Sequence, residues 1–142
     1  MKYISHSADD TEKIAYNFAS MLRGGEIINL DGDLGAGKTA FIRGLAKGLG
    51  ISDIVSSPTF TIVNEYRKGN IPLFHFDVYR IGSSEEMYDI GWDDYISQGA
   101  VVAVEWSVNI SDIFNGDEIK VMITKDLTKS EEYREITIEG AV

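Results

Sequence analysis

The residues from Gly32 to Thr39 have the clearest chemical potential in this sequence. They read Gly-Asp-Leu-Gly-Ala-Gly-Lys-Thr and match the pattern G-x-x-x-x-G-K-[ST] in full. The glycines let the backbone turn tightly, so that successive N–H groups point into one concavity that holds phosphate oxygens. In this pattern we expect Lys38 to reach the β- and γ-phosphates of a nucleotide and the hydroxyl of Thr39 to ligate Mg²⁺. A glycine-rich surface turn before a helix is the alternative, and it leaves the Lys-Thr pair unexplained.

Two acidic residues are candidates to complete such a site, because a magnesium nucleotide needs an acidic group to orient the ion and the attacking water. Glu105 directly follows the apolar run Val101–Val104, and Asp77 follows Phe76. The carboxyl ends of strands deliver side chains to the crevice where α/β sheets bind ligands. A solvated surface carboxylate is the alternative for each, because the chain carries 23 acidic residues. We favour Glu105 more strongly because four aliphatic residues precede it and Trp106 follows it.

The elements around the glycine-rich segment fit a phosphate-binding loop. An apolar strand is predicted over Glu26–Leu30, and an amphipathic helix over Thr39–Leu49. Lys2–Ser5 predicts a short edge strand, and Ser7–Thr11 predicts the start of a helix that Gly24 and Gly25 bring to an end. A strand before the loop and a helix after it are the context that the pattern requires.

The second half of the chain has shorter elements and more β-type patterning. A hairpin is predicted from Thr59–Tyr66 and Ile71–Val78, and a short helical region from Ser83 to Ile96. Val101–Val104 predicts a strand covered on both faces. Two alternating segments predict an antiparallel pair at the far side of the sheet, namely Ile119–Thr124 and Glu135–Glu139. The sequence therefore predicts an α/β domain with a mixed parallel and antiparallel sheet flanked by helices.

Composition limits the class of protein. The chain has 142 residues, 44% of them hydrophobic, no cysteine, two histidines and a formal net charge of −10. This size fits one compact domain, and the charge disfavours direct binding of a nucleic-acid backbone. Disulfides and cysteine-based zinc sites are excluded. No run of about 18 apolar residues predicts a membrane span, and the first 20 residues lack a secretory signal's apolar stretch. We expect a cytoplasmic protein that makes no membrane contact.

Several nucleotide-binding classes fit poorly. The sequence has no N-K-x-D stretch and no D-x-x-G switch, which disfavours a Ras-like GTPase. Small-molecule kinases with this loop normally use arginines to cover the transferred phosphoryl group. Here only Arg67 and Arg80, of five arginines, lie in the middle of the chain. A small-molecule kinase and a nucleotide-gated binding module without significant hydrolysis stay open as alternatives to an ATPase.

Four segments together resemble the TsaE (YjeE) family. They are the loop Gly32–Thr39, then Ser57–Tyr66, His75–Arg80 and Val104–Trp106, in the family's order and spacing. The resemblance covers Ser7 to Arg134 and implies a single P-loop NTPase domain over residues 1–142. It implies a Mg²⁺-dependent ATPase that assists bacterial formation of N6-threonylcarbamoyladenosine at position 37 of tRNAs reading codons that begin with A. The implied partners are TsaB and the transferase TsaD, with tRNA contacted only through that complex.

The resemblance also implies residue roles. Lys38, Asp77 and Glu105 would be catalytic, and Thr39 with Glu105 would hold Mg²⁺. Asp77 would sit beside the ion, either as a ligand through water or as the group that polarises the hydrolytic water. ATP contacts are expected from Asp33, Leu34, Gly35, Ala36, Gly37, Lys38, Thr39, Thr59 and Arg134. The segments around Ser7 to Thr11 and Arg134 resemble those that line the adenine side in the family.

Some of these roles have plain structural alternatives. Thr59 would sense the γ-phosphate, or it is simply the entry to a strand. Trp106 would flank the acid as in the family, or it is a buried core aromatic. His75 is interpreted as a packed or hydrogen-bonded strand histidine rather than a catalyst. The family often has Trp-Pro-Glu after the acid, whereas this chain has Trp106-Ser107-Val108.

Overall fold

Seven strands form one sheet in the computed structural model, which describes residues 1–33, 35–58 and 62–140. The strands are β1 (Lys2–Ser5), β2 (Ile27–Gly32), β3 (Val63–Tyr66), β4 (Leu73–Asp77), β5 (Val101–Glu105), β6 (Ile119–Lys125) and β7 (Arg134–Glu139). The helices are α1 (Ala8–Ala19), α2 (Lys38–Gly48), α3 (Ser84–Asp89), α4 (Trp92–Ile96) and a 3-10 helix (Ser107–Ile113). The predicted α/β class with a mixed, helix-flanked sheet is confirmed.

The centre of the sheet is parallel and its two sides are antiparallel. The strand order is β1-β7-β6-β2-β5-β4-β3, in which β6, β2, β5 and β4 run in parallel. The predicted hairpin is the antiparallel pair β3–β4, and the predicted C-terminal pair is β6–β7. β1 adds to β7 as the predicted edge strand. The carboxyl ends of β2, β4 and β5 consequently lie at one edge of the sheet.

Apolar side chains fill both faces of this sheet. One core lies under α1 and α2 and includes Phe18 and Phe41. The other lies under α3, α4 and the 3-10 helix, where Phe76 and Trp92 meet edge-to-face at 5.4 Å. All five residues of β5 are buried, as the continuous apolar run predicts for a strand covered on both faces.

Local signals explain most element boundaries. The Oγ of Ser7 accepts a hydrogen bond from the Asp10 backbone N–H at 3.0 Å, which caps α1 as predicted. The helical region predicted from Ser83 to Ile96 is two helices, because the left-handed Gly91 separates them. β3 begins only at Val63, since Ile62 has a φ of 67° and cannot continue an extended strand. None of the described helices is both long and apolar enough to cross a membrane.

The contact between α1 and α2 depends on a glycine. A Cβ added at Gly44 in α2 would lie 2.1 Å from the backbone carbonyl oxygen of Glu12 in α1. Real Cβ atoms do not approach a backbone so closely, so any side chain at position 44 would push the helices apart. This close approach positions α2, and with it the end of the glycine-rich loop, against the sheet.

We predict that Gly44→Ala lowers the free energy of unfolding by about 1–3 kcal/mol, the usual cost of overpacking. The loss outweighs the gain of about 1 kcal/mol in helix propensity that alanine has over glycine. Urea denaturation followed by tryptophan fluorescence measures the change. Asn17→Ala, on the exposed side of α1, is the control and should be neutral or slightly stabilising. Unchanged stability of Gly44→Ala would contradict the close approach.

Candidate functional site

The glycine-rich loop joins the carboxyl end of β2 to the amino end of α2. The Ala36 N–H donates to the Asp33 carbonyl at 3.0 Å, which closes a turn inside the loop. Gly37 precedes α2 with a φ of 104°, a left-handed conformation that side-chain-bearing residues rarely adopt. It offers no capping side chain, so the first N–H groups of α2 and the positive end of its dipole are directed toward the loop. This arrangement favours an anion.

Lys38 is buried beside this loop with only 7% of its surface exposed. Its Nζ donates to the Gly32 carbonyl at 2.8 Å and lies 3.9 Å from Oε1 of Glu105. The same ammonium lies 3.6 Å from the centroid of the Trp106 ring. A carbonyl dipole, a carboxylate and an aromatic face therefore compensate a charge that burial alone would make costly.

The two candidate carboxylates lie side by side, because Asp77 and Glu105 are directly paired at the ends of β4 and β5. Glu105 is 5% exposed, and its Oε2 is hydrogen-bonded to Nε2 of the fully buried His75. Asp77 is half-buried and accepts a hydrogen bond from the Tyr79 backbone N–H at 3.1 Å. The structure thus agrees with the interpretation of His75 as a hydrogen-bonded strand histidine.

The electrostatics of Asp77 differ from those of an ordinary surface aspartate. Burial raises the pKa of its carboxyl, and the nearby Glu105 carboxylate raises it further. The hydrogen bond from Tyr79 lowers this pKa in part, as do His75 and Lys38. The net pKa of Asp77 lies above the usual value of 3.8. A perturbed carboxyl in a cleft is typical of functional sites.

Trp106 has a backbone conformation that is rare for a bulky residue. Its φ of 60° and ψ of 43° place it in the left-handed region, which costs about 1–3 kcal/mol. The turn brings its indole over Lys38 and edge-to-face with Tyr79 at 5.5 Å. Immediately after it, the Ser107 Oγ donates to Oδ1 of Asn29 in β2 at 2.7 Å. The indole is thus more than a core aromatic, because it contacts the charge of the loop lysine.

These groups surround one cavity of about 410 Å³, within the usual range of small-molecule sites. The residues of the sequence-predicted site that line it are Gly35, Gly37, Lys38, Thr39, Asp77, Glu105 and Arg134. Asp33 is exposed on the loop and Ala36 is buried beneath it, and neither lines the cavity. Leu34 and Thr59 lie outside the described residues. The assigned roles of all these residues stay predictions.

Arg134 contacts the loop itself. Its Nε donates to the Ala36 carbonyl at 2.9 Å, and a terminal nitrogen donates to the Gly35 carbonyl at 3.3 Å. The other terminal nitrogen donates to the carbonyls of Glu131 and Tyr133. The guanidinium therefore joins the loop to the segment that precedes β7. Its predicted contact with ATP stays a prediction.

Ser7, Ala8 and Thr11 at the start of α1 also line the cavity, as does Trp106. Four further residues that line it were not predicted as site residues, namely Ala40, Arg43, Ser57 and Glu132. Arg43 follows Thr39 by one helical turn, so the helical period was a signal that could have placed both on one face. The Ser57 Oγ lies 3.4 Å from the Thr39 Oγ1. Ser57 begins one of the four segments that resemble the family, although no site role was predicted for it. Glu132 belongs to no periodic segment, and no local pattern indicated its position.

The donor set suits a magnesium ion that is held mainly by a nucleotide. No cluster of three or more His, Asp or Glu side chains that could hold a metal occurs in the described part of the chain. Mg²⁺ is usually bound by one or two carboxylates together with phosphate oxygens and water, not by an all-protein cage. The hydroxyl of Thr39 and the carboxylates of Glu105 and Asp77 line the same cavity and fit this requirement.

Comparisons with known proteins point in one direction. The sequence profile of a family described as "Threonylcarbamoyl adenosine biosynthesis protein TsaE" matches residues 5–136. The tRNA threonylcarbamoyladenosine biosynthesis protein TsaE of Bacillus subtilis is 40% identical over 137 residues, covering 96% of this chain and 84% of that protein. The protein of the same name from Treponema pallidum is 40% identical over 111 residues, covering 78% of this chain and 82% of that protein. The crystal structure of Bacillus subtilis YdiB superposes with a TM-score of 0.82 at 36% identity, covering 97% of this chain and 83% of that one.

We predict that Asp77→Asn stabilises the protein increasingly as pH rises above 3.8, through the raised pKa of Asp77, in magnesium-free buffer. Because the pKa of Asp77 is raised on folding, the folded state binds more protons than the unfolded state above the usual value of 3.8. Ionisation of this carboxyl consequently costs stability as pH rises through that window, and asparagine removes the cost. Urea denaturation at several pH values measures the difference between variant and wild type.

Asp126→Asn is the control of opposite sign. The hydroxyl of Thr128 lowers the pKa of Asp126, so its ionised form adds stability above the usual value. The stability of this variant relative to wild type should therefore fall as pH rises toward 3.8 and stay constant above that value, where the difference between Asp77→Asn and wild type grows. Parallel pH dependences of the two variants would contradict the assignment for Asp77.

Proposed function

Because the chain belongs to the TsaE family, we propose that it binds and hydrolyses ATP with Mg²⁺ in the formation of N6-threonylcarbamoyladenosine at position 37 of tRNA. The observation that carries the proposal is one cavity that brings the loop residues Lys38 and Thr39 together with Asp77 and Glu105. The family supplies the pathway, and the geometry supports the nucleotide chemistry.

The loop and α2 supply the groups for triphosphate binding. Backbone N–H groups at the start of α2 and the buried Lys38 ammonium offer positive potential on one side of the cavity. The Lys38 ammonium uses one of its three N–H donors in the hydrogen bond to the Gly32 carbonyl. Its remaining donors are available to phosphate oxygens. Positioning and charge neutralisation of this kind are the main means of catalysis in phosphoryl transfer.

Thr39 and Glu105 are the residues that would hold Mg²⁺, with Asp77 beside them. When bound, this ion neutralises negative charge on the phosphate oxygens. Asp77 and Glu105 present their carboxylates side by side, so one can orient a water molecule for in-line attack on the γ-phosphorus. The raised pKa of Asp77 fits a carboxylate that accepts a proton more readily than an exposed aspartate does.

The cavity offers little arginine assistance of its own. Two arginines line it, and the guanidinium groups of both have protein partners. Arg43 pairs with Glu12 at 3.5 Å, and Arg134 donates to the loop carbonyls. We therefore propose that hydrolysis is slow in the isolated protein and faster with TsaB and TsaD. The net charge of −10 supports a role in which these cytoplasmic partners, rather than this chain, contact the tRNA.

We predict that Lys38→Ala weakens MgATP binding by about 10- to 150-fold, the equivalent of one charged hydrogen bond of about 1.5–3 kcal/mol. Glu105→Gln should retain binding of ATP and lose most hydrolysis, because the amide carries no negative charge to orient the ion and water. Calorimetry measures binding, and release of inorganic phosphate measures hydrolysis.

Lys47→Ala is the matched control for the first variant, since this lysine lies on the exposed end of the same helix and pairs with Glu12. Its MgATP affinity should equal that of the wild type. Wild-type protein that is folded and binds no MgATP, alone or with partners, would overturn the proposal. Phosphate recovered on a metabolite instead of as free phosphate would indicate a kinase.

We predict that adding TsaB and TsaD raises the rate of ATP hydrolysis by about tenfold or more, because groups supplied in trans can stabilise transferring phosphoryl charge. Steady-state phosphate release with and without the two proteins measures the effect. Addition of Glu105→Gln protein to the same partners is the control for contaminating ATPase. Rates that are equal and fast in the two conditions would contradict the expectation.

A further inference from the structure

His75 is a fully buried histidine whose side chain makes one polar contact among the residues that the structure describes. It lies in the middle of β4, at the register of Ala103 in β5 and Asn64 in β3. Its Nε2 is hydrogen-bonded to Oε2 of Glu105, and its Nδ1 has no hydrogen-bond partner among the described residues. Buried polar atoms are usually paired, so a histidine satisfied on one side only requires an explanation.

The contact with Glu105 determines which ring nitrogen of His75 carries the proton. A carboxylate only accepts hydrogen bonds, so Nε2 carries the hydrogen and donates it to Glu105. Because Nδ1 has no competing partner there, the Glu105 bond and apolar packing determine the orientation of the ring. The ring in turn restricts the rotation of the glutamate side chain.

The two oxygens of Glu105 therefore have different surroundings. Oε2 is held by His75 inside the sheet, while Oε1 faces the Lys38 ammonium at 3.9 Å. Lys38 and Glu105 line the cavity, whereas His75 does not. A carboxylate anchored through one oxygen presents the other in a single direction, which is how buried partners orient groups at metal sites.

We propose that His75 is a positioning residue for Glu105, holding one carboxylate oxygen so that the other is directed toward the cavity where magnesium nucleotide binds. This inference rests on the proposed function, because the ligand that Glu105 serves is the magnesium nucleotide. His75 itself contacts neither the nucleotide nor the reacting water.

Two amide variants separate positioning from simple polarity. His75→Gln places an N–H donor near the position of Nε2, whereas His75→Asn is too short to bring its amide there. We expect His75→Asn to lower kcat for ATP hydrolysis by about 10- to 100-fold, the usual effect of removing such a partner, while MgATP binding is retained as in Glu105→Gln. His75→Gln should stay within a few fold of the wild type. Affinity for ADP in the presence of a chelator should be the same in all three proteins, which shows that the loop is intact.

A double variant tests whether the effect passes through Glu105. Adding His75→Asn to Glu105→Gln should cause no further loss of kcat, because the carboxylate to be positioned is already absent. A full additional loss in the double variant would overturn the proposal. Equal behaviour of His75→Gln and His75→Asn in a wild type that binds and hydrolyses MgATP would overturn this inference alone. A wild type that binds no nucleotide would overturn the proposed function as well.

A measurement on the unaltered chain avoids any loss of folding in the variants. The sequence has two histidines, and the exposed His6 is an internal control for nitrogen-15 histidine spectra. We expect MgADP to shift the Nε2 resonance of His75 more than chelated ADP does, with little change at His6. A His75 resonance that responds equally to ADP with and without magnesium would overturn the proposal.

Discussion

The parallel pairing of β2, β5 and β4 is the constraint on which the site depends. Glu105 lies opposite Leu30 on one side and Asp77 on the other, so β4 and β5 end at the same level and β2 continues two residues farther, to Gly32. The loop that begins at Gly32 therefore leaves the sheet beside both carboxylates. Because side chains alternate between faces, a one-residue slip in β5 would direct Glu105 into the opposite core. The buried apolar residues that determine this register therefore also determine where the two carboxylates lie.

Burial of charge makes the site a coupled unit. Lys38, Glu105 and His75 form a continuous chain of polar contacts from the glycine-rich loop to the interior of β4. In such low-dielectric surroundings, removing one member leaves another charge uncompensated, which costs more than the contact itself contributes. The ring of Trp106 also contacts the Lys38 ammonium, and this contact requires a left-handed backbone conformation at Trp106. This strained residue lies between the buried Glu105 and the 3-10 helix Ser107–Ile113, and backbone strain of this kind is concentrated at functional sites.

The sequence was most informative where local pattern and chemistry coincide. The loop pattern and the apolar run before Glu105 both depend on neighbouring residues, so strand, loop and helix could be predicted together. The hydrogen bonds from Arg134 to the loop carbonyls join positions almost a hundred residues apart, and no sequence periodicity predicts such a contact. The left-handed backbone conformation of Trp106 could not be predicted either, because nothing in the sequence Glu-Trp-Ser requires a positive φ. The break between α3 and α4 at Gly91 was not predicted, because the residues on both sides of this glycine were assigned to one helical region.

The proposed function requires a chain with a net charge of −10 to bind a negatively charged triphosphate. The positions of the charges around the cavity explain how this is possible. Exposed charges are largely screened beyond about 8 Å at physiological ionic strength, whereas buried charges are screened much less. Lys38 and the start of α2 act inside the cavity, while Glu12 near its rim is neutralised by Arg43 and Lys47. A compact phosphate group therefore experiences mainly local positive potential. An extended nucleic-acid backbone would instead meet the acidic outer surface, which favours assigning tRNA contact to partner proteins.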